Sequence, residues 1–116
     1  MRDYLAARLG DRDCEHFGIT LVNAWHRFME LVERFRGTID GASVHPNEVV
    51  KLSLEKGAAC VVLAHNDPSG VAEPSRADEL ISKRLQDALG LIDVRVLDHL
   101  IVAGSDVISF AENGRL

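Results

Sequence analysis

The stretch "AACVVLAHNDPSGVAEPSRADELISKRLQDALG", Ala58 to Gly90, decides how the chain folds. It opens on Ala58–His65, a short apolar run that ends in a histidine. Such a run reads as a strand buried on both faces. It closes on "SRADELISKRLQDALG", where Ala77, Leu80, Ile81, Leu85, Ala88 and Leu89 recur three and four apart. That spacing predicts an amphipathic helix, with Gly90 ending it. Between the two, Asp67-Pro68-Ser69-Gly70 has Asp, Pro and Gly where a type I turn favours them. Ser75-Arg76-Ala77-Asp78 has the Ser-x-x-acid spacing of a helix cap. Strand, turn and helix in direct succession are the repeating unit of a layered α/β fold.

The same pattern extends in both directions. Downstream, "IDVRVLDHLIVAG" alternates at Val94 and Val96 and then runs apolar, which predicts a strand, and "DVISFAENG" predicts a last short one. Upstream, "HPNEVVKLSLEKG" predicts a helix with Pro46 at its first position and Gly57 at its end. "EHFGITLVNA" alternates Phe17, Ile19 and Leu21 as a strand does, and "RDYLAARLG" is a short amphipathic helix ending at Gly10. "AWHRFMELVERF" is ambiguous: Trp25, Phe28, Met29, Val32 and Phe35 fit one helical face, so local pattern favours helix.

Composition bounds the function. The 116 residues suit one domain, 47% apolar and 27% charged, with no apolar segment long enough to span a membrane. The polar opening "MRDYLAARLGDRD" has no signal-peptide core, so a cytoplasmic location is expected. The net charge of −5, with Lys83, Arg84, Arg95 and Arg115 scattered, argues against direct DNA binding by this domain alone. Cys14 and Cys60 match no zinc-knuckle spacing and are expected as free thiols, Cys60 buried and Cys14 the more exposed.

Candidate ligands converge where the central strand ends. Side chains 65 and 67 of an extended chain point the same way, so His65 and Asp67 share a direction, and Asp78 sits in the first turn of the following helix. Three protein ligands and a water form a catalytic zinc pattern. Turn and cap account for Asp67, Ser75 and Asp78 without any metal, and from spacing alone that reading is the stronger of the two. Asp98-His99 is a polar pair in an apolar run. It reads as a buried hydrogen-bonded pair positioning the neighbouring loop, or as a catalytic pair. His45 precedes Pro46 and marks a helix boundary; His16 and His26 are expected at the surface; Trp25 fits core or exposed contact.

The segments "RGTIDGASVHPNEVVK", "LAHNDPSGVAEPSRAD", "DVRVLDHLIVAG" and "SFAENGRL" together resemble the RadC family, bacterial proteins long labelled as DNA repair proteins. Their C-terminal domain is similar to the JAMM/MPN class of zinc metallopeptidases. The resemblance implies a three-layer, cytidine-deaminase-like α/β fold with a central mixed sheet flanked by helices. It covers roughly Cys14 to Leu116, nearly the whole chain; residues 1–116 are expected as a single domain, with residues 1–13 an N-terminal helical extension. It also implies a β-hairpin over residues 24 to 36, against the local helical pattern, with "MELVERFRGT" as second strand.

The JAMM pattern is a Glu, then His-x-His, seven residues, Ser, two residues and Asp. By the resemblance Glu15 takes the place of the upstream Glu, the general base, and Ser75 that of the oxyanion hydrogen-bond donor. His65, residue 67 and Asp78 take the places of the zinc ligands. The implied reaction is hydrolysis of a peptide or isopeptide amide. The chain departs from the pattern at one ligand: where the family reads "HNHPSG", this sequence reads "HNDPSG". Carboxylate is a legitimate zinc ligand, but Asp67 is shorter than histidine and adds negative charge. Weakened zinc, or replacement by a harder divalent cation, is the expectation. The alternatives are a non-catalytic MPN scaffold for protein partners and a DNA-repair accessory.

Overall fold

The computed structural model describes residues 4–5, 16–36, 45–66, 76–104 and 106–116. Five strands form one sheet: β1 (His16–Val22), β2 (Phe28–Arg36), β3 (Cys60–Asn66), β4 (Arg95–Ala103) and β5 (Asp106–Ser109), in the spatial order β2-β1-β3-β4-β5. β3 and β4 run parallel and every other neighbouring pair antiparallel, so the sheet is mixed. Helices α1 (Pro46–Lys56) and α2 (Arg76–Gly90) complete the α/β architecture. Helix α2 makes the crossover that parallel neighbours require.

Alternation along the strands sorts side chains between two cores. Phe17, Ile19, Leu21, Val61 and Leu63 face the helices and pack with Val49 and Leu52 of α1 and Ile81, Leu85 and Leu89 of α2. Val62, Ala64, Leu100 and Val102 face the other way and enclose Leu5, one of two helical residues described near the start of the chain. All of β3 is buried, as its apolar run predicts for a strand covered on both sides. Cys60 lies in it as a free, buried thiol.

Local signals place the helix ends, with one exception. His45 is extended (φ −109°, ψ 124°), the region that a following proline enforces, and Pro46 opens α1. The His45 side chain makes no capping hydrogen bond; the boundary is a backbone effect. Gly57 is left-handed (φ 68°), and the amides of Gly57 and Ala58 donate to the carbonyls of Leu54 and Ser53, closing α1 in a Schellman arrangement. Gly90 does not play this part for α2. The left-handed residue is Asp93 (φ 59°), and the amides of Asp93 and Val94 donate back to Gly90 and Leu89.

Residues 28–36 form a strand, so the local helical reading of this region is corrected. β2 is an edge strand paired to β1, with register shifts between Phe17 and Ile19 and between Leu21 and Val22. An edge strand buries little on its outer side. Trp25, Phe28 and Met29 are exposed, which is why the helical spacing of these apolar residues carried no packing information. The side-chain amide oxygen of Asn23 accepts from the amides of Trp25 and Arg27 and shapes the β1–β2 turn. His26 is exposed there, as expected. The last strand is shorter than "DVISFAENG": pairing ends at Ser109 and a turn follows.

Candidate functional site

Two of the residues singled out by sequence meet at one end of the helix–sheet interface. His65 is near the end of β3, on the face towards α2, and Asp78 is in the first turn of α2. His65 Nε2 lies 3.3 Å from Asp78 Oδ1, with both side chains almost wholly buried. Two ligands on one tetrahedral zinc, each at ~2.1 Å, stand about 3.4 Å apart. The pair therefore fits half of a metal site in spacing, in donor type and in seclusion from water. Among the described residues no group of three or more His, Cys, Asp or Glu side chains is placed to hold a metal ion. Asp67, Ser75 and Glu15, the third ligand and the two further residues of the expected site, lie outside the described residues, as does Cys14.

The structure adds two residues. His99 of β4 places Nε2 at 2.9 Å from His65 Nδ1, and its Nδ1 is 2.9 Å from Ser82 Oγ. His65, His99 and Ser82 thus form one buried hydrogen-bonded chain, with Asp78 beside His65 at its end. Two periodicities align it. Asp78 and Ser82 are four apart on α2 and share its inner face, continued by Leu85 and Leu89. His65 and His99 are diagonal neighbours on adjacent strands, because Leu63 pairs with His99 and His65 with Ile101.

A bulge makes that diagonal possible. Val61 pairs with Val96, but Val62 pairs with Asp98, so Leu97 is an extra residue in β4. Without the extra residue, His99 would pair with Ala64 and face away from α2. With it, His99 turns to the side of His65, and Asp98 faces the opposite side.

Aromatic rings wall the site. The Phe17 ring stacks parallel to His65 with centroids 6.3 Å apart and meets His99 edge-on at 5.9 Å. Phe110 lies 4.5 Å from His99 on another side. His99 is completely inaccessible to solvent. Burial, and secondarily the nearby His65, hold its pKa well below the ordinary 6.5, so the ring stays neutral.

Asp98 does not act on the His99 ring. Its Oδ1 accepts from the main-chain amides of His99 (2.7 Å) and Ala111 (3.0 Å), and its Oδ2 accepts from the Ser109 hydroxyl. Of the two readings of Asp98-His99, the loop-positioning one describes Asp98: it ties β4 to the turn that carries Phe110. The catalytic-pair reading has no counterpart in the geometry. Sequence reasoning missed Ser82 altogether. Its signal was a small polar residue on the apolar stripe of α2, one turn from Asp78 and one short of Leu85.

The chain matches the family model described as a RadC-like JAB domain over residues 1–115. It is 56% identical over 113 residues to a UPF0758 protein of Shewanella oneidensis, covering 97% of this chain and 50% of that protein. A UPF0758 protein of Shewanella denitrificans is 55% identical over 115 residues, 99% of this chain and 51% of the relative. The chain spans about half the length of the curated relatives it matches. With a match of this extent over a mixed sheet whose central strand delivers His65 to Asp78, the chain belongs to the RadC-like JAB-domain family.

Proposed function

We propose that the chain is a metal-dependent amide hydrolase of the JAB type, weakened at its metal site by Asp67. The reading is carried by one observation: a buried imidazole nitrogen and a buried carboxylate oxygen 3.3 Å apart at the mouth of the central strand. His65 and Asp78 would hold a divalent cation, with Asp67 as third ligand. A bound cation would supply Lewis acidity and lower the pKa of a water. Glu15 would take a proton from the attacking water and return it to the leaving amine. Ser75 would donate a hydrogen bond to the developing oxyanion. The substrate class is a peptide or isopeptide amide.

Asp67 sets the strength of the site. A set of one imidazole and two carboxylates is harder and more negative than one with two imidazoles, which shifts preference from zinc towards manganese or magnesium. A purely protein-binding role is the competing reading, and Asp67 is the residue that favours it. The experiment compares purified wild-type protein with Asp67→His. Expected are substoichiometric zinc in the wild type, near-stoichiometric zinc in the variant, and amide hydrolysis at least tenfold faster in the variant. Neither protein retaining any divalent metal after dialysis at micromolar zinc would overturn the hydrolase reading in favour of the interaction module.

A further inference from the structure

A histidine ring can turn about its Cβ–Cγ bond and exchange its two edges. His65 therefore needs a hold if its Nε2 is to stay on the side of Asp78. That hold is on the opposite edge, where His65 Nδ1 is 2.9 Å from His99 Nε2 and both side chains are buried. Turning the His65 ring over would set a C–H edge against His99 Nε2 and carry the His65 Nε2 away from Asp78. It would also leave a buried nitrogen of His99 without this partner, a cost that burial makes large. The parallel Phe17 ring fixes the plane of His65, but stacking does not tell a nitrogen edge from a carbon edge. The contact with His99 does.

His99 is itself held at both nitrogens. Ser82 Oγ is 2.9 Å from its Nδ1, and the rings of Phe17 and Phe110 pack against it. Ser82 is one helical turn beyond Asp78 on α2. The contacts close a circuit. One turn of α2 joins Asp78 to Ser82, and hydrogen bonds lead from Ser82 through His99 to His65, which is 3.3 Å from Asp78. The helix that carries one expected ligand thus also braces the strand that carries the other. We propose that His99, braced by Ser82, is a positioning residue that keeps His65 Nε2 turned towards Asp78 and sets the pair before any cation arrives. A cation would then find two of its ligands already placed. The contact serves this purpose whichever of the two nitrogens supplies the proton. If His99 only filled the space between Phe17 and Phe110, any ring of its size would do as well. The cation half of the proposal rests on the hydrolase reading; the orientation of His65 does not.

The test separates the hydrogen bond from the packing. His99→Phe keeps a ring between Phe17 and Phe110 and removes both nitrogens. His99→Gln gives up the ring and keeps a terminal amide, which both donates and accepts. The first readout is NOE spectroscopy of the metal-free full-length protein. In the wild type, the His65 Hε1 proton, beside Nδ1, should show contacts to the side chain at position 99. The Hδ2 proton, on the far edge, should not. Both protons should show them in His99→Phe, because the ring turns over, and only Hε1 in His99→Gln. The second readout is zinc affinity, measured by chelator competition in the wild type and in the Asp67→His background. It should fall about tenfold with His99→Phe, the scale typical of residues that orient a metal ligand, and return close to the parent value with His99→Gln. Wild-type contacts and affinity in His99→Phe, or equal losses in the two variants, would overturn the proposal. Should His99→Phe not fold, Ser82→Ala carries the test. It should weaken zinc binding and let the Hδ2 contacts appear, and the absence of both changes counts against the brace. Zinc binding by none of the proteins, Asp67→His included, overturns the hydrolase reading alone, because the metal-free contacts still decide the orientation of His65.

Discussion

His99 shows how one buried side chain links the sheet to pH. Its ring is neutral in the folded protein because burial opposes its charged form. In the unfolded chain it titrates near the ordinary 6.5. Below that pH the unfolded state binds a proton that the folded state does not. Stability from this residue is therefore fully present above the unfolded pKa and falls as the pH drops below it, by up to about 1.4 kcal/mol per pH unit until the folded ring itself protonates. Urea unfolding at pH 7.5 and pH 5.5 should show a steeper loss for the wild type than for His99→Gln, which cannot titrate. Equal slopes would place the buried charge penalty elsewhere. Both histidines were visible in the sequence, but only His65 was read as a metal ligand. His99 was paired with its neighbour Asp98, because sequence adjacency is the only proximity a sequence displays.

The elements follow local rules until tertiary contacts outweigh them. Pro46 and Gly57 bound α1 where their backbone preferences require, so that helix was legible. Helix α2 was legible too: it ends at Gly90 as its pattern predicts, but the left-handed position beyond it falls on Asp93 (φ 59°) rather than on a glycine. A carboxylate there faces the negative end of the helix dipole. Asp93→Asn keeps a side chain that tolerates left-handed backbone and removes the charge. It should raise stability by about 0.3–1 kcal/mol in thermal or urea unfolding. A loss of stability would mean that Asp93 has a compensating role. β2 was misread by local pattern for a related reason. Its exposed Trp25 and Phe28 imitate a helical face, and only pairing with β1 makes the segment a strand.

At the scale of the whole molecule, the end of the chain supports the site. Asp98 gathers the amides of His99 and Ala111 and the hydroxyl of Ser109, and the same turn packs Phe110 against His99. Arg115 closes the turn onto α2 by pairing with Glu79, the residue after Asp78. Removing the carboxylate leaves two part-buried donors, the His99 amide and the Ser109 hydroxyl, without this acceptor. Asp98→Ala should lower stability by about 2 kcal/mol, with Asp98→Asn intermediate. The same change should broaden the His99 ring resonances, because it loosens the Phe110 wall. An Asp98→Ala protein with wild-type stability would show that the turn is held by Arg115 and packing alone. Among the described residues no helix is long and apolar enough to cross a membrane, in keeping with the charged surfaces of both helices.

The sequence by itself determined the succession of central strand and following helix, the mixed α/β class, the family, and the meeting of His65 with Asp78. Each of these depends on periodicity or on a motif of fixed spacing, both of which are local. The tertiary structure decided the partners of His65. A single extra residue, Leu97, shifts β4 by one position and so turns His99 towards His65, and one turn of helix brings Ser82 to its far side. Strand register in a parallel pair is set by contacts between segments distant in sequence, and a shift of one residue exchanges the faces. No reading of either strand alone contains that shift.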